Sequence, residues 1–285
     1  MISDITLGQF FPGNSIIHRL DPRTKILLTV IFIVSVFIIV NPISFLILAV
    51  ATMALVKTSG ISFRVVFKGI KPLVFVLIFT ALINIFMTKG ETRLFGFWIF
   101  EVYTEGIIRA VFMAVRVILL IIGTSILLTY TTSPISLTDG IESLLSPLKK
   151  IGIPVHLFAM MMTIALRFIP TLIEETEKIM NAQKSRGADF SSGGLVKRAK
   201  ALIPLLVPLF VSSFKRAEEL AVAMECRCYR GDKNRTKLVK LTYRAADFLW
   251  LFMGALFLCV TVLLRIIPYN LSLSGVIYDI MLYRL

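Results

Sequence analysis

Residues 26–56, ILLTVIFIVSVFIIVNPISFLILAVATMALV, run for 31 positions without a charge, and how they divide decides the fold. As one straight helix the run would reach about 46 Å at roughly 1.5 Å per residue. That is too long for a hydrocarbon core about 30 Å thick. Split at Asn41-Pro42, it yields two helices of barely 15 residues, short for spans. They would be joined where proline breaks a helical ladder. Both flanks are basic, with Arg19, Arg23 and Lys25 before the run and Lys57 after it.

The rest of the chain decides between the two. Three further uncharged runs, 72–88, 117–138 and 248–264, have 17, 22 and 17 residues and fit one span each. Residues 57–71 carry four basic side chains and no acid, residues 88–106 carry two basic and three acidic, and residues 132–245 carry 18 basic against 10 acidic. A hairpin at Asn41-Pro42 puts the basic stretches on the cytoplasmic side and the acidic loop outside. A single span would reverse them. The sequence therefore predicts five spans, N-terminus in and C-terminus out.

Composition agrees with a lipid solvent. The 285 residues are 57% hydrophobic and only 17% charged, against about 25% charged in soluble domains. A net charge of +14 invites a nucleic-acid reading. However, nucleic-acid binders gather base on a polar surface, whereas here charge is segregated from long apolar runs. Three cysteines, Cys226, Cys228 and Cys259, form no disulfide framework. The two histidines, His18 and His156, lie far from them, so no metal site has ligands at a zinc-like spacing. The thiols read as small packing residues of a reducing compartment. The start, MISDITLGQF, has no basic region followed by an apolar core, so no cleaved signal peptide is expected.

The acidic loop contains LFGFWIFEVY (94–103), with Trp98 either an interfacial anchor or part of a short extracellular hairpin. Arg109 and Arg116, seven residues apart, share a face of the fourth span. Arg116 reads either as a snorkelling residue near a helix end or as a deeper group facing a protein partner.

Function should lie in residues 132–245, a long insertion before the last span. Its apolar helical segments are interrupted by Pro154, Pro170, Pro204 and Pro208. They suit helices lying along a membrane or packed on apolar partners. Met160-Met161-Met162 is either adaptable contact surface or ordinary core filling. An internal echo is more specific: EKIMNAQKSRG (177–187) and EELAVAMECRC (218–228) share Glu, then Ala five residues on (Ala182, Ala223), then Arg four further (Arg186, Arg227). Macrodipole and glycine capping account for each arginine singly, but not for the repetition. Paired helix ends suggest two similar docking sites, and the arginine fork suits carboxylates there. No GxxxxGK[ST] loop, catalytic triad or cofactor turn is present in the sequence, so if the protein moves something uphill the energy is supplied elsewhere.

With GNSIIHRLDPRTKI (13–26) as an opening signature and Ser185-Arg186-Gly187 and Cys226-Arg227-Cys228 as a pair of X-Arg-X triplets, the chain resembles the transmembrane T component of energy-coupling factor (ECF) transporters, the EcfT/CbiQ-like family, over essentially its whole length. The family pattern is Ala-Arg-Gly-like; here serine replaces one alanine, and cysteines flank the second arginine, followed by Tyr229-Arg230-Gly231.

The resemblance implies an all-α integral membrane protein. Residues 1–131 hold an N-terminal cytoplasmic segment and four spans, 132–245 a cytoplasmic coupling-helix module, and 246–285 the last span and tail. It implies a non-catalytic scaffold in the cell membrane of a prokaryote, without cofactor or metal and without nucleic acid. Two ABC-type ATPases, a homologous heterodimer or a homodimer, dock on the two triplets. A membrane-embedded S component that captures a vitamin or other micronutrient rests on Leu157, Met160, Met161, Ile164 and Phe168, and on Leu202, Leu205, Leu206 and Leu209. The alternative is an autonomous secondary transporter or channel. Such proteins place ionisable groups near the midplane, and these spans are nearly free of acid.

Overall fold

A computed structural model describes residues 10–88, 93–97, 100–188, 190, 194–231 and 241–266. The chain divides after Gly140 and again after residue 240, giving a unit of helices around the first and last apolar segments and a second unit from Ile141 onward.

In the first unit, helix α1 (Pro22–Ile38) starts on an N-cap, the Asp21 carboxylate accepting from the Arg23 N–H, with proline at the first helical position. It ends at Ile39, and helix α2 (Pro42–Ser59) begins at once behind Asn41. The uncharged 31-residue run is therefore a hairpin turned at Asn41-Pro42, as the charge parity required. Gly60, in the left-handed region at φ 69°, closes α2. Helix α3 (Phe63–Ile70) buries Val66 and Ile70, and a 3₁₀ turn at Lys71–Leu73, forced by Pro72, leads into α4 (Val74–Met87). Strands β1 (Arg93–Phe97) and β2 (Phe100–Tyr103) pair antiparallel, Gly96 opposite Glu101, with a bulge between Arg93 and Phe95. The short-hairpin reading of the acidic loop holds for this backbone; the anchoring role of Trp98 lies outside the described residues.

Helix α5 (Thr104–Thr124) runs on through a π turn, Ser125–Tyr130, and helix α6 (Pro134–Leu145) follows. The fourth span thus occupies residues 104–130 rather than the predicted 117–138. The uncharged run starts late because Arg109 and Arg116, read from the sequence as sharing a face of this span, lie within the helix. Arg116 donates to the Ile39 carbonyl at 2.7 Å and stacks 5.4 Å from the Phe45 ring centroid. It caps the end of α1, supplying a donor to an orphan carbonyl. The third span likewise begins earlier than predicted, since α3 and α4 together form one 25-residue apolar stretch, residues 63–87.

The last helix of this unit is α9 (Ala245–Ile266). Its ends match those of α1. At one end Asp247, 1% exposed, accepts from the Asp21 N–H at 2.9 Å and from the Arg244 N–H at 2.7 Å. At the other, Asn41 donates to the Leu264 carbonyl at 2.6 Å. The Lys25 ammonium, also buried, donates to the Thr131 and His18 carbonyls, fixing the start of α1 against the end of the π turn. Ile17 packs with Val56 at the end of α2, and Gly106 at the start of α5 lies against the Ile85 carbonyl of α4. These pairings make α1, α2, α3–α4, α5 and α9 alternate in direction. The core that holds them is Leu28, Phe32, Val36, Phe45, Leu48, Leu119 and Leu127. At Gly123 a Cβ would run into the Phe32 ring, and at Gly254 it would lie 2.7 Å from Leu28 Cδ2. Small residues set the closeness of both crossings, as they do between membrane helices.

The second unit is two long helices, α7 (Val155–Ser185) and α8 (Leu195–Cys226), preceded by a 3₁₀ turn at Ser146–Ile151. Five stretches among the described residues are long and apolar enough to cross a membrane: α2, α3–α4, α5 with its π turn, α7 and α9. Helix α1, at 17 residues, is shorter than these. The apolar start of α7, read from sequence as a surface-lying segment, therefore has the composition of a span.

Candidate docking site

Helices α7 and α8 pack on each other, and one ion pair ties them: Arg216 Nη2 on α8 lies 2.9 Å from Glu175 Oε2 on α7, the guanidinium standing 6.0 Å from the Phe168 ring centroid. At the start of α7, His156 Nδ1 meets Glu142 Oε1 at 2.9 Å.

Both helices end in the same way. After α7, the Arg186 N–H donates to the Gln183 carbonyl, that of Gly187 to Lys184, and that of Ala188 to Gln183. After α8, the Arg227 N–H donates to Met224, that of Cys228 to Glu225, and that of Tyr229 to Met224. Residue for residue this is one Schellman cap repeated, with the arginine at the C-cap and the next residue left-handed. Gly187 holds φ 85° and Cys228 holds φ 57°. Glycine makes that conformation without strain, whereas cysteine pays about 1 kcal/mol or more for it. Arg186 and Arg227 are exposed, and neither forms an ion pair with a described residue.

The distance along each helix is also matched. Arg186 lies eleven residues beyond Glu175, and Arg227 eleven beyond Arg216. Each arginine therefore stands about 16 Å along its own helix from the ion pair that ties them. Neither eleven-residue arm contains glycine or proline; Pro170, Pro204 and Pro208 all lie on the N-terminal side of the tie. The loops predicted to follow, GADFSSGG and YRGDKNR, lie partly outside the described residues.

The apolar positions read as a second contact face are distributed unevenly. Met161, Leu202 and Leu206 are exposed at 52%, 46% and 50%. Leu157, Met160, Ile164, Phe168 and Leu209 are half-buried, and Leu205 is buried, so it contributes packing rather than surface. The sequence reading missed the more exposed stripe on α8: Ile203, Val207, Phe210, Val211 and Phe214. Their i, i+4, i+7, i+8, i+11 spacing was the available signal. Apolar side chains left in the open over three turns mark a surface whose solvent is lipid or another protein.

The chain matches the profile of the CbiQ family, described as cobalt transport protein, over residues 13–238. It is similar to the energy-coupling factor transporter transmembrane protein EcfT of Clostridium kluyveri, 53% identical over 267 residues, covering 93% of this chain and 98% of that one. The EcfT protein of Acidaminococcus fermentans is 52% identical over 271 residues, 95% of this chain and 99% of its own. That of Bacillus subtilis is 48% identical over 247 residues, 87% and 93% respectively.

Proposed function

This chain belongs to the CbiQ family and is the multi-pass transmembrane component of an energy-coupling factor transporter, and on that premise we propose that its two matched helix ends are where two ABC-type ATPase subunits dock. The observation that supports this is the repeated Schellman cap presenting Arg186 and Arg227 at equal distances from one inter-helix ion pair. Two identical or homologous motor subunits need two equivalent handles, and a capped helix end fixes the arginine's backbone so that its planar fork is presented in one direction. Ser185, Gly187, Cys226 and Cys228 shape these handles; the arginines make the grip.

In the proposed cycle the ATPases bind and hydrolyse ATP, and this chain catalyses nothing. Movement of the motor pair is carried along the two arms to the exposed apolar stripes, where a membrane-embedded S component holding a vitamin or other micronutrient rests. Residues 132–245 form the coupling module in this reading, between spans in 1–131 and the last span in 246–285. The N-terminus and the module face the cytoplasm of a prokaryotic cell, as the basic loops require.

Charge-assisted hydrogen bonds are worth about 1.5–3 kcal/mol each, so reversing both arginines should weaken ATPase association by two orders of magnitude or more. The test is Arg186→Glu with Arg227→Glu in the assembled complex, reading ATPase co-purification and substrate uptake. Joint loss is expected. Uptake that persists after the motors are gone would make the chain an autonomous transporter and overturn the proposal. For the second face, Leu206→Glu and Phe210→Glu should remove the S component while the ATPases stay bound; an undisturbed S component counts against that assignment.

A further inference from the structure

Helices α2 and α9 are neighbours without filling the space between them. Along α2, Ile47, Ala51, Ala54 and Thr58 form one wall; along α9, Trp250, Met253 and Phe257 form the other; Leu28 and Phe32 of α1 make the floor. The trench has a volume of about 580 Å³ and, Thr58 apart, an apolar lining. The Thr58 hydroxyl is already bonded to carbonyls of its own helix, so the trench offers no open hydrogen-bonding demand.

Its dimensions choose among occupants. From Ile47 to Thr58 the wall runs eleven residues, roughly 16 Å at 1.5 Å per residue. Half of a bilayer's hydrocarbon core is about 15 Å. A helix is roughly 10–12 Å across with its side chains, and over the same length it would fill more than about 1,000 Å³, well beyond the 580 Å³ present. One extended hydrocarbon chain of a single leaflet fits.

Basic residues flank the lining segments in sequence. Lys57, next to Thr58, is exposed, and so are Arg64 and Lys68 of α3 and Arg244, which opens α9. Residues 57–71 include no acidic side chain. Basic side chains at the membrane surface attract anionic headgroups, and the indole of Trp250 at that end suits the interface.

We propose that the trench between α2 and α9 is a binding site for one acyl chain of an anionic phospholipid, its headgroup held by Lys57 and Arg244. The lipid acts as a structural wedge, filling a gap that α2 and α9 leave over α1. The proposal is independent of the docking reading, since no residue of α7 or α8 takes part.

The full chain is reconstituted in vesicles of phosphatidylethanolamine with phosphatidylglycerol, extracted in mild detergent, and its retained phospholipid counted by native mass spectrometry. The wild type should keep phosphatidylglycerol. Ala51→Phe and Met253→Trp, which fill the trench from opposite walls, should each lower retention about tenfold, the effect of roughly two methylenes leaving the groove. Met53→Phe, at a residue 58% exposed on another face of α2, should leave it unchanged. Lys57→Gln with Arg244→Gln should erase the preference for phosphatidylglycerol. Full retention in both filled variants overturns the proposal. So does a photo-crosslinker at Ala54 that, in membranes holding the whole complex, labels a polypeptide instead of phospholipid; that result would assign the trench to a partner.

Discussion

Removing the carboxylate of Asp247 should loosen both α1 and α9 at once. It is 1% exposed, and its two oxygens each accept one backbone N–H, Asp21 at 2.9 Å and Arg244 at 2.7 Å. Hydrogen bonds to a charged acceptor contribute about 1.5–3 kcal/mol each, so Asp247→Ala should cost about 3–6 kcal/mol, with the Asp21 N–H left buried. Asp247→Asn keeps one accepting oxygen but turns an amide N–H₂ toward the other donor, which should cost about half as much. Asp21→Ala removes the N-cap of α1 and a long ion pair with Arg23 while keeping the N–H that Asp247 receives, a loss of about 1 kcal/mol. Equilibrium unfolding of the full chain in mixed micelles, titrated with sodium dodecyl sulfate and followed by helical circular dichroism, ranks the three. The expected order of stability is wild type, Asp21→Ala, Asp247→Asn, Asp247→Ala. An Asp247→Ala protein within about 1 kcal/mol of wild type would refute the idea that this carboxylate joins the two helix starts, because no remaining group could replace both bonds.

Gly123→Leu should destabilise by about 1–3 kcal/mol through overpacking on Phe32, and Phe32→Ala in the same chain should recover part of that loss; the same unfolding titration measures the coupling. Cys228→Gly should relax the left-handed cap and raise the unfolding midpoint slightly, by about 0.5 kcal/mol, without weakening ATPase co-purification. Ala182→Pro, placed in the unbroken arm of α7, removes a helical hydrogen bond at a cost of about 3 kcal/mol. It should keep ATP hydrolysis in the assembled complex but uncouple it from uptake; a variant with normal uptake would show that the arm does not transmit force.

Much of the fold could be read from charge and apolar run length, because those two properties decide what a bilayer accepts. The Asn41-Pro42 hairpin is an example: parity and proline chemistry agreed, and α1 and α2 part there. The same rule failed for the fourth span. Arg116 bounded the uncharged run although it was also placed on the fourth helix, and its guanidinium donates to the Ile39 carbonyl, 77 residues away. Asp247 likewise looked like a flank of the last span, and its partner is 226 residues distant. No local pattern announces a bond between groups so far apart in the chain. At the candidate docking site the arginine echo was legible because spacing is preserved in sequence. The left-handed Cys228 was not, since composition gives cysteine no reason to occupy a glycine position.

An arginine at a helix C-terminus is ordinary, because the macrodipole favours it wherever it falls. What the macrodipole does not set is how far that arginine lies from a contact with a neighbouring helix. Here both intervals are eleven residues, counted from the two members of a single ion pair. Both intervals are also free of glycine and proline, although the same helices tolerate three prolines on the other side of the tie. Prolines are thus confined to the apolar halves, where α8 exposes Phe210 and Phe214. The polar halves are free of proline and glycine, capped and of one length. A pair of stiff arms of equal reach, fixed at a common point, delivers a movement at their tips to the fulcrum with the same geometry from either side. That arrangement is what two equivalent motors would need, and a pair of unrelated helix ends would have no reason to keep it.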